Sequence, residues 1–202
     1  MASLVLFQGN TRSAIEHMVS QQTLLGKYES KGDKHYLGDG FYFYEDFFQA
    51  LVWVKMKVTR NMKYLGQPWG VMKCEIEFDE NSFADLDERE EQNFFFAEMV
   101  RLRREIASNN LVIAEYSDAY LCNHLSKILD LSILAKTFVY RDKHNSFPTL
   151  FSNDRSQPYS ITRHFRTERQ YVVKNRTAGW EIKPLELMES GVEKMSREVR
   201  GR

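Results

Sequence analysis

The stretch Leu37-Gly38-Asp39-Gly40-Phe41-Tyr42-Phe43-Tyr44 constrains this chain more than any other. Two glycines two apart let the backbone turn tightly and let a ligand approach it with no Cβ in the way. Four consecutive aromatics then read as a short strand with rings on both faces. Glu45-Asp46 follow as a helix start, where acidic side chains suit the positive end of the dipole. Phe47, Ala50, Leu51 and Val54 recur at helical spacing. The unit is a glycine turn, an aromatic strand and a buried helix beneath it. Taken alone, it suits a core strand–helix pair as well as a ligand cradle.

Around this unit the chain alternates strands and helices. Residues 4–7 form an apolar strand that ends at Gln8-Gly9-Asn10, and residues 11–19 read as a helix capped by Asn10 or Thr11. Residues 21–36 are polar and read as a mobile loop, with His35 solvated on it. A connecting loop over 61–70 precedes a half-buried strand at 71–78, and residues 82–87 break that strand. Residues 88–108 give the clearest long helix, with Phe95, Met99, Leu102 and Ile106 on its apolar face. A short apolar segment at 111–114 leads to a helix from Ser117 or Asp118 to about residue 130, then a strand at 134–141. Residues 142–160 read as a long loop, 161–165 and 168–175 as strands, and 180–187 as a last edge strand.

A chain of 202 residues with 43% hydrophobic content is most simply one domain, over residues 1–190, with a charged tail at 191–202. No apolar run is long enough to span a bilayer and no signal peptide precedes the first strand, so the expectation is a cytoplasmic protein with no membrane association. Cys74 and Cys122 lie far apart, with no C-x-x-C and no histidine pair nearby. That indicates neither a metal site nor a disulfide framework.

Net charge is zero, yet residues 75–98 carry ten acids against one base, Arg89, while residues 141–176 carry eight bases against three acids. The basic stretch includes Arg155, Tyr159, Arg163, Arg166 and Arg169. Cations interleaved with aromatics neutralise phosphates and stack bases. The same cations also suit a pyrophosphate, or pairing with the acidic stretch.

The segment Gly38-Asp39-Gly40-Phe41-Tyr42-Phe43, with Ala50 seven residues on, resembles the second block of the ADP-ribosyltransferase-like fold, as in poly(ADP-ribose) polymerase-like and bacterial toxin-like members. Gln8-Gly9-Asn10 is similar to the first block, where a histidine or arginine normally stands at Gln8. Gln170-Tyr171-Val172-Val173 is similar to the third block, where a glutamate normally stands at Gln170. The three blocks fall in the family's order over nearly the whole chain.

The resemblance implies an α+β fold, a split β-sheet core flanked by helices, and an NAD-dependent mono-ADP-ribosyltransferase that releases nicotinamide. It implies that Tyr42 stacks on the nicotinamide of NAD, the co-substrate, and that Gly9 holds the nicotinamide amide. Gln8 and Gln170 hold the ribose, and Asn10, Gly40, Phe43 and Ala50 complete the NAD site. Glu168, two residues before Gln170 and on the same strand face, is a candidate to supply the charge that Gln170 lacks.

The region before the third block is where this family recognises its acceptor. A nucleic acid, RNA or DNA, is therefore put ahead of a protein, with Arg155, Tyr159, Arg163, Arg166 and Arg169 as acceptor-binding residues. A bacterial or phage-related toxin or defence effector follows, and a toxin implies a neutralising antitoxin protein. The glutamines leave two alternatives open: an inactive binding module on the same fold, and an NAD glycohydrolase.

Overall fold

The computed structural model describes residues 1–32, 35–108, 118–141, 165–174, 180–183 and 185–193, without the side chains of 139–141 and 165–167. The segments expected at 111–114, 142–160 and 161–164 lie outside the described residues, as does the tail from residue 194.

Strand β1 (Ala2–Thr11) is longer than its apolar residues indicate. It stays in antiparallel register with β3 (Trp69–Phe78) from Ala2↔Phe78 through Thr11↔Trp69. Gln8, Gly9 and Asn10 therefore belong to a strand, not to a turn after Phe7. Backbone pairing does not require apolar side chains, and a ten-residue partner carries the strand past its last apolar residue. Helix α1 (Arg12–Gln21) begins at once, with Thr11 at the cap position but making no side-chain cap bond.

The glycine turn leads into β2 (Phe41–Tyr44) and α2 (Phe47–Arg60), as the sequence predicts. Asp46 caps α2, its carboxylate accepting from the Phe48 N–H at 2.6 Å and the Gln49 N–H at 3.2 Å. Residues 82–87, expected only to break a strand, contain β4 (Phe83–Asp85), which runs parallel to β5 (Ile133–Arg141). Helices α3 (Arg89–Ser108) and α4 (Asp118–Ile128) lie between them in sequence. Strand β6 (Phe165–Val173) follows. The expected last edge strand divides into β7 (Trp180–Ile182) and β8 (Glu186–Gly191), both paired to β3, so that Ser190 and Gly191 are in a strand.

All eight strands form one sheet in the order β4-β5-β6-β2-β1-β3-β7, with β8 also beside β3. Every named pairing is antiparallel except β4–β5. Helices and strands are thus mixed around a single sheet, in line with the α+β class.

Strand alternation sorts the core into two layers. On one face Phe41 and Phe43 pack with Ile15 and Met18 of α1 and with Met72, Ile133 and Val173. Burying each of these phenylalanines fully contributes roughly 2–3 kcal/mol. On the other face Leu134 and Val172 pack under α3 and α4, and Val71, Trp69 and Tyr44 pack under Ala50, Val54 and Val58 of α2. The four apolar positions expected on α3 are all buried there. Tyr42 lies at the edge of one helical cover and Tyr44 in the other, which marks the seam between them. Among the described residues no helix is long and apolar enough to cross a membrane.

Candidate functional site

A cavity of about 200 Å³ opens where β1 and β2 part. The two strands are registered at Phe7↔Tyr44. One residue further on, the ladder gives way to a side chain: Gln8 Nε2 donates to the Tyr42 carbonyl at 3.3 Å. Gln8, Gly9 and Asn10 line one wall, Tyr42 and Tyr44 the other, and Gln170 joins them from β6, whose register sets it beside Tyr44. Gln8 is 5% exposed, and its Oε1 is buried with no hydrogen-bond partner. A buried acceptor left unmade costs about 1–3 kcal/mol. A ligand N–H or O–H entering the cavity would satisfy it.

Glycine fixes both walls. Gly40 has φ +153°, and a Cβ there would lie 2.5 Å from Val172 Cγ2 and 2.7 Å from the Val173 carbonyl oxygen. The turn therefore lies directly on β6. At Gly9 the constraint is packing, because a Cβ would lie 2.5 Å from the Ala50 carbonyl oxygen and 2.7 Å from Val54 Cβ. Only a glycine lets α2 lie this close to β1.

The turn also orients Tyr42. Its hydroxyl donates to the Gly38 carbonyl at 2.7 Å and accepts from the Leu37 N–H at 3.1 Å. The ring packs 5.3 Å from the His35 ring, tilted by 41°. Beneath, the buried Lys174 ammonium donates to the Leu37 carbonyl at 2.7 Å, the Asp39 carbonyl at 3.0 Å and Asn123 Oδ1 at 3.2 Å. The end of β6 thereby holds the turn that precedes β2. Sequence reading gave Lys174 no such task.

Ser30, His35, Tyr36, Tyr44, Trp53 and Lys57 also line the cavity without having been assigned to it, and His35 and Lys57 bring basic groups. His35, expected on a solvated loop, lies against Tyr42 because Ser30 is tied to Gly40 by two backbone hydrogen bonds of 2.9 and 3.0 Å, which draws the loop over the site. Burial lowers the His35 pKa, with Asp39 opposing and Lys57 adding to the effect. Lys57, on α2, donates to Asn10 Oδ1 at 2.8 Å and stands 4.3 Å over the Tyr64 ring and 5.0 Å over the Trp53 ring. Burial, and then repulsion from Lys63, lowers its pKa to about 8. Its spacing from Trp53, one helical turn back, was the available sequence signal. From Lys57 the cavity continues into an open groove of about 1160 Å³.

The other predicted residues fall elsewhere. Phe43 points into the core on the α1 face, as strand alternation requires once Tyr42 faces the cavity. Ala50 is fully buried between α2 and β1 and supports Gly9 instead of lining the cavity. Glu168 is buried and shares a strand face with Gln170, but it is not among the cavity-lining residues. Arg169 is engaged within the fold: it meets Asp85 at 2.5 Å, Asp87 at 2.8 Å and the Tyr171 hydroxyl at 2.8 Å. Arg155, Tyr159, Arg163 and the Arg166 side chain lie outside what is described. Both cysteines are buried, which pushes each thiol up to about 12. Among the described residues no group of three His, Cys, Asp or Glu is arranged to hold a metal ion.

No protein-family model matches the chain, and no solved structure matches it. An uncharacterized protein of Methanocaldococcus jannaschii, MJ0359, is 33% identical over 92 residues, which is 46% of this chain and 41% of that protein. The chain spans about two fifths of the length of the curated relative it matches.

Proposed function

We propose that the chain is an NAD-dependent mono-ADP-ribosyltransferase that modifies a nucleic acid and releases nicotinamide. One observation carries this: Gln8, Gly9, Tyr42 and Gln170, drawn from three distant segments, border a single cavity. The parting of β1 and β2 supports the split-sheet fold that the resemblance implies. At about 200 Å³ the cavity is smaller than the roughly 300–1,000 Å³ that surrounds a drug-sized ligand, so it suits one end of a larger molecule.

In this reading the Tyr42 ring stacks on the nicotinamide, and Gln8 Oε1 accepts from the ligand's amide or a ribose hydroxyl. The C1′–nicotinamide bond breaks with its electron pair leaving on nicotinamide. The acceptor nucleophile then bonds to C1′ and loses its proton to solvent. Gln170 offers the developing positive charge an amide dipole in place of a carboxylate. That weaker electrostatic term favours a second reading, a module that binds NAD or ADP-ribose without turnover.

The test is incubation with adenine-labelled NAD and cell lysate fractionated into RNA, DNA and protein. The expected result is label in a nucleic-acid fraction, free nicotinamide, and a fall of at least about 100-fold in both with Tyr42→Ala. Saturable NAD binding with no nicotinamide release would replace the transferase by the binding module. Absence of both would overturn the two together.

A further inference from the structure

We propose that the groove opening from the cavity holds a single strand of RNA or DNA, which serves as the acceptor of the transfer. The acceptor role rests on the function proposed above; the binding itself does not. The groove runs between two banks. One is the 3₁₀ turn Gly26–Tyr28 with Lys31 just beyond, and the other is the C-terminal half of α2 with the turn that follows it.

Among the described residues, Lys27, Lys31, Lys57, Arg60 and Lys63 line the groove against one carboxylate, Glu29, which lies 3.3 Å from Lys31. In a chain with 28 basic and 28 acidic residues, this excess is local. All of these cations except Lys57 are exposed to solvent. Aromatic rings stand among them, with Lys27 5.0 Å over Tyr28, Lys57 5.0 Å over Trp53 and Lys63 5.3 Å over Tyr64.

Cations in a row neutralise successive phosphates, and rings between them stack unpaired bases. The donor's pyrophosphate does not account for five cations. A strand that brings one charge per nucleotide does. The groove shares Asn10, His35, Trp53 and Lys57 with the cavity, so a bound strand passes beside the reacting end of NAD. None of the groove's described cations belongs to the Arg155–Arg169 stretch that the sequence nominates.

The experiment measures anisotropy of labelled single-stranded RNA and DNA of about twelve nucleotides. If four phosphates are neutralised, affinity falls roughly 50-fold between about 50 and 200 mM salt, a logarithmic slope of roughly −3. Arg60→Gln with Lys63→Gln, both exposed, is expected to weaken binding at least about tenfold at low salt and to reduce the slope to roughly −1.5. Arg155→Gln with Arg163→Gln is expected to change neither quantity, and saturating ADP-ribose is expected to leave the strand bound.

Absence of binding, an unchanged slope in the groove variant, or loss confined to the Arg155/Arg163 variant would overturn the proposal. Displacement by ADP-ribose would assign the groove to the donor instead, and equal affinity for duplex would exclude a single strand. Superimposable thermal melts keep a folding defect out of the comparison. Strand binding without NAD turnover would sink the transferase and leave the groove, whereas turnover without strand binding would do the reverse.

Discussion

Two described regions of this molecule bring cations together, and they dispose of the charge in opposite ways. Around Arg169 the charge is neutralised within the fold. Its guanidinium bonds Asp85, Asp87 and the Tyr171 hydroxyl, Lys136 meets Asp87 at 2.9 Å, and Tyr171 in turn donates to Glu45 at 2.8 Å. Burial pushes the Asp87 carboxyl up, but hydrogen bonds from Thr137 and Lys136 outweigh it and hold the pKa below the usual carboxylate value. In the groove, among the described residues, five cations face a single carboxylate. Charge already paired stabilises the fold and has little left for a ligand. Charge left open costs a little stability and recruits an anion.

The largest expected difference between the regions is in stability. Arg169→Met leaves Asp85 and Asp87 short of a cation on a side chain that is only 24% exposed. Denaturant unfolding should show a loss of about 2 kcal/mol, below the range for fully buried pairs because solvent still reaches the cluster. A loss under about 0.5 kcal/mol would mean that Arg169 is available to an acceptor after all.

Lys57 sharpens the contrast through pH. Its folded pKa of about 8 lies below the ordinary 10.5, so between those values the unfolded chain binds more protons than the folded one. Stability therefore rises with pH across that window, and Lys57→Met should flatten the rise. Anion affinity should move the other way, falling as the pH passes about 8 and the ammonium loses its proton. An anion affinity that stays level across that pH range would remove Lys57 from the open set.

Much of this architecture was legible in the sequence because it rests on local signals. The turn at Gly38 and Gly40, the Asp46 cap and the apolar stripe of α3 each depend on residues within a few positions of one another. What failed depends on pairing. The extension of β1 through Gln8 and Asn10 needs β3 beside it, and β4 exists because β5 gives three residues a parallel partner. The site divided in the same way. Gln8, Gly9, Tyr42 and Gln170 meet because each motif fixes its own strand, while Phe43 was lost to strand alternation and Ala50 to helix packing. Within the basic stretch, the Arg169 reading failed because charge along a sequence does not show which cations are already paired. The groove's cations come from two short segments, neither conspicuous alone.

Gln8 isolates a smaller effect on the cavity side. Its Oε1 is buried without a partner, so Gln8→Met removes an unsatisfied acceptor at nearly constant volume, along with the long 3.3 Å bond from Nε2 to the Tyr42 carbonyl. The lost bond and the relieved acceptor offset each other, so stability should change by less than about 1 kcal/mol, while nicotinamide release falls at least about tenfold. Such a split between folding and turnover marks a group kept for a ligand. A parallel loss of stability and turnover would make Gln8 a packing residue.

The smallest expected effect tests whether the open cations repel one another. Lys63 lowers the Lys57 pKa from the same bank of the groove, and no described carboxylate lies within ion-pair reach of either ammonium. Lys63→Gln should therefore raise the Lys57 pKa and change unfolding free energy by less than about 0.5 kcal/mol. Titration of Lys57 by NMR after isotopic methylation reads the shift directly. In the Arg169 cluster, removing a cation exposes its acids to each other; in the groove, removing one eases the remaining cations. A Lys57 pKa that falls or stays fixed in the variant would show that the two regions do not differ in this way, because Lys63 would then be screened like any isolated surface lysine.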